Sequence, residues 1–232
     1  MTQKFLRISL GLIAFGLFSS YGQSNIKTIE LQKGEVFDIL LLQQNPGKEE
    51  AFKSYFQTAG AVAKKMSYKP LGGLKIKAHL QGNLQPSVLV FAKWEHMEKR
   101  EAFLNQITEE VPDFHERRRE LWPYFGLHYY EVKNDLSLKI DRKKYLIATA
   151  YWLDTEDETS NFYGEWKSKI QSANGEVLIE LKDGKSPFGY RYDPDFFVIT
   201  SWETESDFKA FHKNMQNSEM DNIQHINEFI LE

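Results

Sequence analysis

The chain contains no cysteine. This absence excludes a lipid anchor attached to cysteine, a disulfide framework, and a thiolate that could bind a metal or act as a nucleophile. The hydrophobic core alone must therefore stabilise the fold. Hydrophobic residues make up 41% of the sequence and aromatic residues 14%, which is enough side-chain material for such a core.

The sequence also lacks an excess of basic residues. Lysine and arginine number 29 against 33 aspartates and glutamates, which gives a formal net charge of -4. A nucleic-acid partner is not expected, because binding to phosphates requires a basic surface. The dense basic run from Arg117 to Arg119 lies between Glu116 and Glu120. We interpret it as the solvated face of a helix.

Near the N-terminus, the apolar run is too short to cross a membrane. It extends from Ile8 to Phe18, whereas a membrane-spanning helix needs roughly 20 residues. Two basic residues precede it, and Ser20-Tyr21-Gly22 follows it, which is the pattern of a secretory signal peptide. We expect residues 1–22 to be the signal peptide and Gln23 to begin the mature chain. The protein is then periplasmic or secreted, with no membrane insertion after the signal is removed.

Two parts of the chain resemble each other at a fixed spacing. Trp94-Glu95 ends one apolar run and Trp202-Glu203 ends another, and the two pairs are 108 residues apart. The same spacing aligns Phe37 with Tyr145 at the start of two earlier apolar runs, and two pairs of glycines between these positions align at a spacing of 102 residues. This agreement predicts two copies of one unit.

Each copy shows the element order β-α-β-β-α-β, judged from alternating and helical spacing of apolar residues. In the first copy the expected ranges are 37–43, 49–67, 74–80, 88–94, 97–105 and 127–132, and in the second they are 145–152, 159–171, 176–181, 196–202, 206–215 and 226–231. The first repeat is assigned to residues 23–132, a polar linker to 133–144 and the second repeat to 145–232.

This element order is that of the ferredoxin-like fold, an α+β unit with both helices on one face of a four-stranded sheet. The other face of each sheet also carries apolar residues and needs a cover. We therefore expect the two repeats to pack sheet to sheet as an intrachain pseudo-dimeric barrel. The chain would then be a monomer.

The strand-to-helix motifs, Val88 to Arg100 and Phe196 to Glu203, together with the element order, resemble the dimeric α+β barrel superfamily. The nearest likeness is to antibiotic-biosynthesis-type monooxygenases and NIPSNAP-like domains. The superfamily also includes rhamnose mutarotases and the haem-using chlorite dismutase group. The resemblance implies the fold over most of the mature chain and does not select one activity, because one fold supports many functions.

Two histidines are the candidate acid/base residues. His79 and His128 lie on strands that could bring them to the barrel interior, and neither has a histidine at the matching position of the other copy. A single active site in a duplicated scaffold would show this asymmetry, although a lone strand histidine is usually structural. No histidine pair has the spacing of a helical metal site. We expect no metal and no cofactor.

Four residues are candidates for ligand contact: Trp94, Tyr151, Thr200 and Trp202. The tryptophans occupy equivalent strand ends, where they could stack on a ligand or serve shared packing. The hydroxyl groups could line a wet cavity or bond to neighbouring strands. The leading hypothesis is an exported protein that binds an apolar, aromatic or sugar-like small molecule. The alternative is a barrel-superfamily enzyme, such as a cofactor-independent monooxygenase or a sugar isomerase or mutarotase.

Overall fold

The computed structural model describes residues 25–153, 159–187, 189–190, 192–217 and 223–232. The expected signal peptide and Gln23 lie outside these residues. Within them the strands are β1 (Ile26–Leu31), β2 (Val36–Gln43), β3 (Lys69–Gln81), β4 (Val88–Trp94), β5 (Tyr124–Glu131), β6 (Leu136–Asp141), β7 (Tyr145–Leu153), β8 (Gly175–Lys182), β9 (Phe196–Trp202) and β10 (Ile223–Leu231). The helices are α1 (Glu49–Lys65), α2 (Met97–Glu110), α3 (Phe114–Leu121), α4 (Thr159–Ser172) and α5 (Glu205–Asn217).

Eight strands form one large antiparallel sheet in the order β5-β2-β4-β3-β10-β7-β9-β8. In the first half the four strands of a β-α-β-β-α-β unit are β2, β3, β4 and β5 in chain order, and in the second half they are β7, β8, β9 and β10. Both halves place them in the same order across the sheet: fourth, first, third, second. This is the ferredoxin-like strand order, so the expected α+β class is confirmed. The halves join where β3 pairs with β10. At the outer edges, Tyr129 and Lys185 exchange backbone hydrogen bonds of 2.9 Å in both directions. The segment that follows β8 therefore meets β5, the outer strand of the first half.

The sheet has two apolar faces. On β2, Phe37, Ile39 and Leu41 belong to one buried cluster, which also contains residues of β7, β9 and β10. The alternate residues of the same strand, such as Val36 and Leu40, belong to a second cluster with α1, α2 and α3. Side chains from both halves thus fill the face without helices, and each set of helices covers the opposite face.

Two strands, β1 and β6, were not predicted from the sequence. β1 and β6 pair with each other, and Ile29, Leu31, Leu138 and Ile140 join the cluster between the halves. The predicted linker, residues 133–144, therefore contains a strand whose apolar side is buried. The signal was present, because both segments alternate apolar and polar residues as a half-buried strand does.

Strand pairing corrects the predicted alignment of the two halves by one residue. Val36 lies opposite Trp94 in β4, and Tyr145 lies opposite Trp202 in β9. Tyr145 therefore corresponds to Val36 and not to Phe37. The difference matters because successive residues of a strand point to opposite faces.

A further helix, α3, has no place in the predicted β-α-β-β-α-β order and contains the basic run that was interpreted as a helix face. Phe114, Arg118 and Leu121 are its buried residues, at four- and three-residue steps. The interpretation of the run Arg117 to Arg119 as a solvated face is wrong for its middle member, because Arg118 is 9% exposed. Among the described residues, every helix is too short or too polar to cross a bilayer.

Candidate functional site

A cavity of about 110 Å³ lies between the first half of the sheet and helices α1, α2 and α3. Most of its wall is aromatic: Tyr55, Phe56, Tyr68, Trp94, Phe103, Phe114, Trp122, Phe125 and Tyr190. Phe56 on α1 is 37% exposed, and Gly60 on α1 and Leu104 on α2 are half-buried. These three lining residues place the cavity next to solvent at the gap between α1 and α2.

A buried ion pair forms the polar part of the wall. Arg100 Nε donates to Asp38 Oδ1 at 2.9 Å, and Trp94 Nε1 donates to Asp38 Oδ2 at 2.9 Å. All three residues are at most 2% exposed. The guanidinium also lies 4.5 Å from the ring centre of Tyr129 and 5.3 Å from that of Trp94. The contacts fix the charges of both side chains in place beside an apolar space.

The sequence positions of this pair follow from local structure. Asp38 occupies the helix-facing side of β2, among Val36, Leu40 and Leu42. Arg100 precedes Phe103 and Ile107 on the buried side of α2 at three- and seven-residue steps. Each charged residue thus lies on the apolar, buried face of its strand or helix. An unpaired charge buried there would be strongly destabilising, so each residue needs the other as its partner.

Burial governs the ionisation of groups in the cavity wall. Burial raises the pKa of Asp38, and the charge of Arg100 and hydrogen bonds from Trp94 and Arg100 oppose that rise. Burial also raises the pKa of Tyr68, with the nearby charge of Asp38 as a second cause. Burial raises the pKa of Tyr190, and the positive charge of Arg118 opposes that rise. The tyrosine hydroxyls therefore remain protonated and available as donors near neutral pH.

Arg118 brings a second guanidinium to the site. Its central carbon lies 4.4 Å from the ring centre of Tyr190 and 4.9 Å from that of Phe125, both of which line the cavity. Among the described residues, Arg118 Nε has no hydrogen-bond partner and no carboxylate forms an ion pair with Arg118. The two aromatic faces interact favourably with its positive charge.

The first half alone carries this arrangement. The residue 108 positions after Arg100 is Phe208, and Ile147 of β7 takes the place of Asp38 according to the strand pairing. In the second half Trp202 Nε1 donates to Thr200 Oγ1 at 3.0 Å, and the tryptophan packs against Phe211. The charged cavity wall is thus specific to one half of the described structure.

The four predicted ligand contacts separate into two groups. Trp94 lines the cavity. Tyr151, Thr200 and Trp202 lie on the helix face of the second half and are at most 5% exposed. The hydroxyl of Tyr151 accepts a hydrogen bond of 2.9 Å from Trp166 Nε1. The fold does not bring these three residues to Trp94.

His128 lies on the inner face of β5 and is fully buried. Its Nδ1 is 2.6 Å from the hydroxyl of Tyr130, and its ring contacts those of Tyr192 and Phe197. Nε2 of His128 and the hydroxyl of Tyr192 have no hydrogen-bond partner in the described part of the chain. Burial lowers the pKa of His128 to about 3, so the imidazole is neutral at physiological pH.

His79 is partly buried at the junction of the two halves. Its Nε2 lies 2.7 Å from the carbonyl oxygen of Pro86, and its ring contacts Phe229. Neither His79 nor His128 lines the cavity. The two histidines therefore do not meet the aromatic site, and each lies in a different environment.

Asp38, Arg100 and Arg118 are the site residues that sequence reasoning missed. Asp38 is the single charged residue in the apolar run from Phe37 to Leu42, and Arg100 replaces an apolar residue in the buried stripe of α2. Two opposite charges on two faces predicted to be buried are a usable signal. Arg118 gives a similar signal only once Phe114 and Leu121 are recognised as the buried side of its helix.

Metal binding has no evident site in the described parts of the chain, which hold no group of three or more histidine, aspartate or glutamate side chains placed to bind an ion.

Comparisons with known proteins extend to fold alone. No family model matches the chain, and no curated protein matches it in sequence. A mutant chlorite dismutase from Candidatus Nitrospira defluvii is similar in structure, with a TM-score of 0.50, 9% identity, and coverage of 87% of this chain and 93% of that one. An anthrone oxidase-like protein has a TM-score of 0.49, 13% identity, and coverage of 88% and 94%. These neighbours have the dimeric α+β barrel, ferredoxin-like fold.

The buried histidine provides a test of its own environment. His128 stays neutral in the folded protein down to about pH 3, whereas its ordinary pKa is 6.5. Between these values the unfolded chain binds a proton that the folded chain does not, so the folded state loses up to about 1.4 kcal/mol per pH unit as the pH falls. Urea unfolding across this range is expected to show a shallower loss for His128→Gln than for the unchanged protein.

The control for this measurement is His225→Gln, since His225 is a partly buried residue of β10 whose ring hydrogen-bonds with the neutral side chain of Asn227. It should retain the pH dependence of the unchanged protein. Identical slopes for His128→Gln and the unchanged protein would show that His128 is not held neutral by burial.

Proposed function

We propose that the protein binds a small aromatic molecule in the cavity of its first half. The observation that carries this proposal is the cavity itself, an aromatic chamber of about 110 Å³ with a fixed ion pair in its wall. Binding sites for small molecules are typically apolar and contain a few polar groups that orient the ligand. This volume is below that of the dry apolar cavity of about 150 Å³ that admits benzene, so the ligand has at most one ring and lies partly in the gap between α1 and α2.

The enzymatic alternative has weaker support. The likeness to a chlorite dismutase is a likeness of fold, at 9% identity, and fold does not determine activity. His79 and His128, the proposed acid/base residues, lie away from the cavity. Asp38 is the acidic group within it, and both of its oxygens already accept hydrogen bonds. Protonation of Asp38 as a general base would remove its ion pair with Arg100.

We further propose that the two halves are copies of one unit, joined as an intrachain pseudo-dimeric barrel, and that the protein acts outside the cytoplasm. The shared strand order and the packing of Trp94 on Phe103 and of Trp202 on Phe211 support the duplication. The basic and apolar pattern of residues 1–22 supports export.

Native mass spectrometry of material purified from the natural host tests both parts of this proposal. The expected species is a monomer whose polypeptide begins at or within two residues of Gln23, because a chain that supplies both halves of the barrel needs no second copy. Retention of Met1 would contradict export, and an obligate dimer would contradict the pseudo-dimer.

Filling the cavity tests the ligand site. Ala59 on α1 lines the cavity and is 2% exposed. Ala59→Leu is expected to raise the free energy of unfolding by about 1 kcal/mol, because the added carbons fill empty apolar space. It should also abolish binding of benzyl alcohol and benzoate, at least one of which the unchanged protein binds in isothermal titration.

Ala61→Leu is the matched control, since Ala61 is exposed on the same helix. It should leave both binding and stability nearly unchanged. Binding by Ala59→Leu equal to that of the unchanged protein would place the ligand elsewhere. Failure of the unchanged protein to bind either compound would refute the proposed function.

A further inference from the structure

Two nitrogens of the Arg100 guanidinium carry hydrogen-bond donors that have no acceptor among the described residues. Its Nε is bonded to Asp38, but neither terminal nitrogen, Nη1 or Nη2, has a hydrogen-bond acceptor among the described residues. A guanidinium has five N–H donors in a planar fork, of which four belong to the terminal nitrogens. Arg100 is 2% exposed and lines the cavity. The unused donors therefore belong to a buried side chain in the cavity wall.

These donors meet no acceptor among the described residues and belong to a side chain that lines the cavity, so a ligand in the cavity can supply the acceptor. Such donors favour an acceptor with two oxygens in one plane, because a carboxylate pairs with a guanidinium through two parallel hydrogen bonds. The cavity next to Arg100 is the space in which that acceptor would lie. Its aromatic walls would hold the rest of the ligand.

The charges at the site also favour an anion. Among the described residues, the buried charged groups on the helix face of the first half are one carboxylate, Asp38, and two guanidiniums, Arg100 and Arg118. Arg118 does not line the cavity, but it lies against Tyr190 and Phe125, which do. The three charges sum to one positive charge in surroundings where electrostatic interactions are strong. A ligand with a single negative charge neutralises it.

We infer that the ligand is a monoanionic aromatic carboxylic acid with one ring, whose carboxylate binds Nη1 and Nη2 of Arg100. This inference rests on the proposed function and specifies its ligand class. Asp38 acts as a positioning residue, because it holds the guanidinium through Nε and leaves the terminal nitrogens free. A doubly charged phosphate ester fits less well, since it would leave an excess negative charge in a buried site.

Three probes of similar size and different charge test the ligand class: benzoate, benzyl alcohol and benzylammonium. Isothermal titration at pH 7 with the full mature chain is expected to show benzoate binding at least about tenfold more tightly than benzyl alcohol, because hydrogen bonds to a charged group strengthen binding. Benzylammonium should not bind, since it would place a second positive charge against the guanidinium.

A substitution tests the role of Arg100. Arg100→Lys keeps the positive charge beside Asp38 but removes the planar fork, so it should weaken benzoate binding about tenfold and change benzyl alcohol binding by less than about twofold. Arg119→Lys is the matched control, because Arg119 is exposed on α3. It should leave the affinities of both probes unchanged.

The outcomes separate this inference from the proposed function. Benzyl alcohol binding as tightly as benzoate would overturn the inference and leave an aromatic-binding cavity. Benzoate binding that is unaffected in a folded Arg100→Lys protein would also overturn it. Absence of binding by every probe would instead refute the proposed function. If Arg100→Lys does not fold, the comparison of benzoate with benzyl alcohol on the unchanged protein decides the question.

Discussion

The ion pair between Asp38 and Arg100 is the interaction on which the candidate site depends. It fixes a strand of the first half to α2 through a contact of 2.9 Å between two almost fully buried side chains. Removing water from two charges costs several kcal/mol per ion, and such a pair often contributes little net stability. Its effect is better described as orientation. Asp38 and Trp94 hold the guanidinium so that its remaining donors lie in the wall of the cavity.

In the first half, the two faces of the sheet differ in what lies against them: packed side chains on the inner face, and the cavity on the helix face. The inner face is filled by side chains from both halves, including the fully buried His128. The helix face contains the cavity, which α3 helps to close with Phe114. In the second half the corresponding positions carry apolar residues, such as Ile147 and Phe208, and pack as a continuous core. The same strand order thus accompanies a cavity in one half and a filled core at the paired positions of the other.

The sequence allowed the order of elements to be predicted because apolar periodicity is strong in the central strands and in α1. It did not reveal β1 and β6, since their short alternating segments fell within regions interpreted as termini or linker. The candidate site was predicted only at Trp94. His79 and His128 were predicted as site residues because they are titratable. Whether a strand residue faces the helices or the other half depends on its position in the alternating pattern of the strand. The predicted alignment was wrong by one residue at Tyr145, so it did not give that position correctly. Pairing of Asp38 with Arg100 depends on contacts between residues 62 positions apart.

The central claim is that the buried ion pair serves ligand recognition more than stability. The most direct measurement is a comparison of unfolding free energy and benzoate affinity in Asp38→Leu/Arg100→Met, with both single variants alongside. Each single variant should lose about 3–5 kcal/mol by leaving a charge or its site uncompensated. The double variant should recover most of this loss and remain about 1–3 kcal/mol less stable than the unchanged protein, because Trp94 Nε1 loses its acceptor. The account predicts that this double variant no longer prefers benzoate to benzyl alcohol. A double variant that is as unstable as the single variants and still prefers benzoate would contradict it.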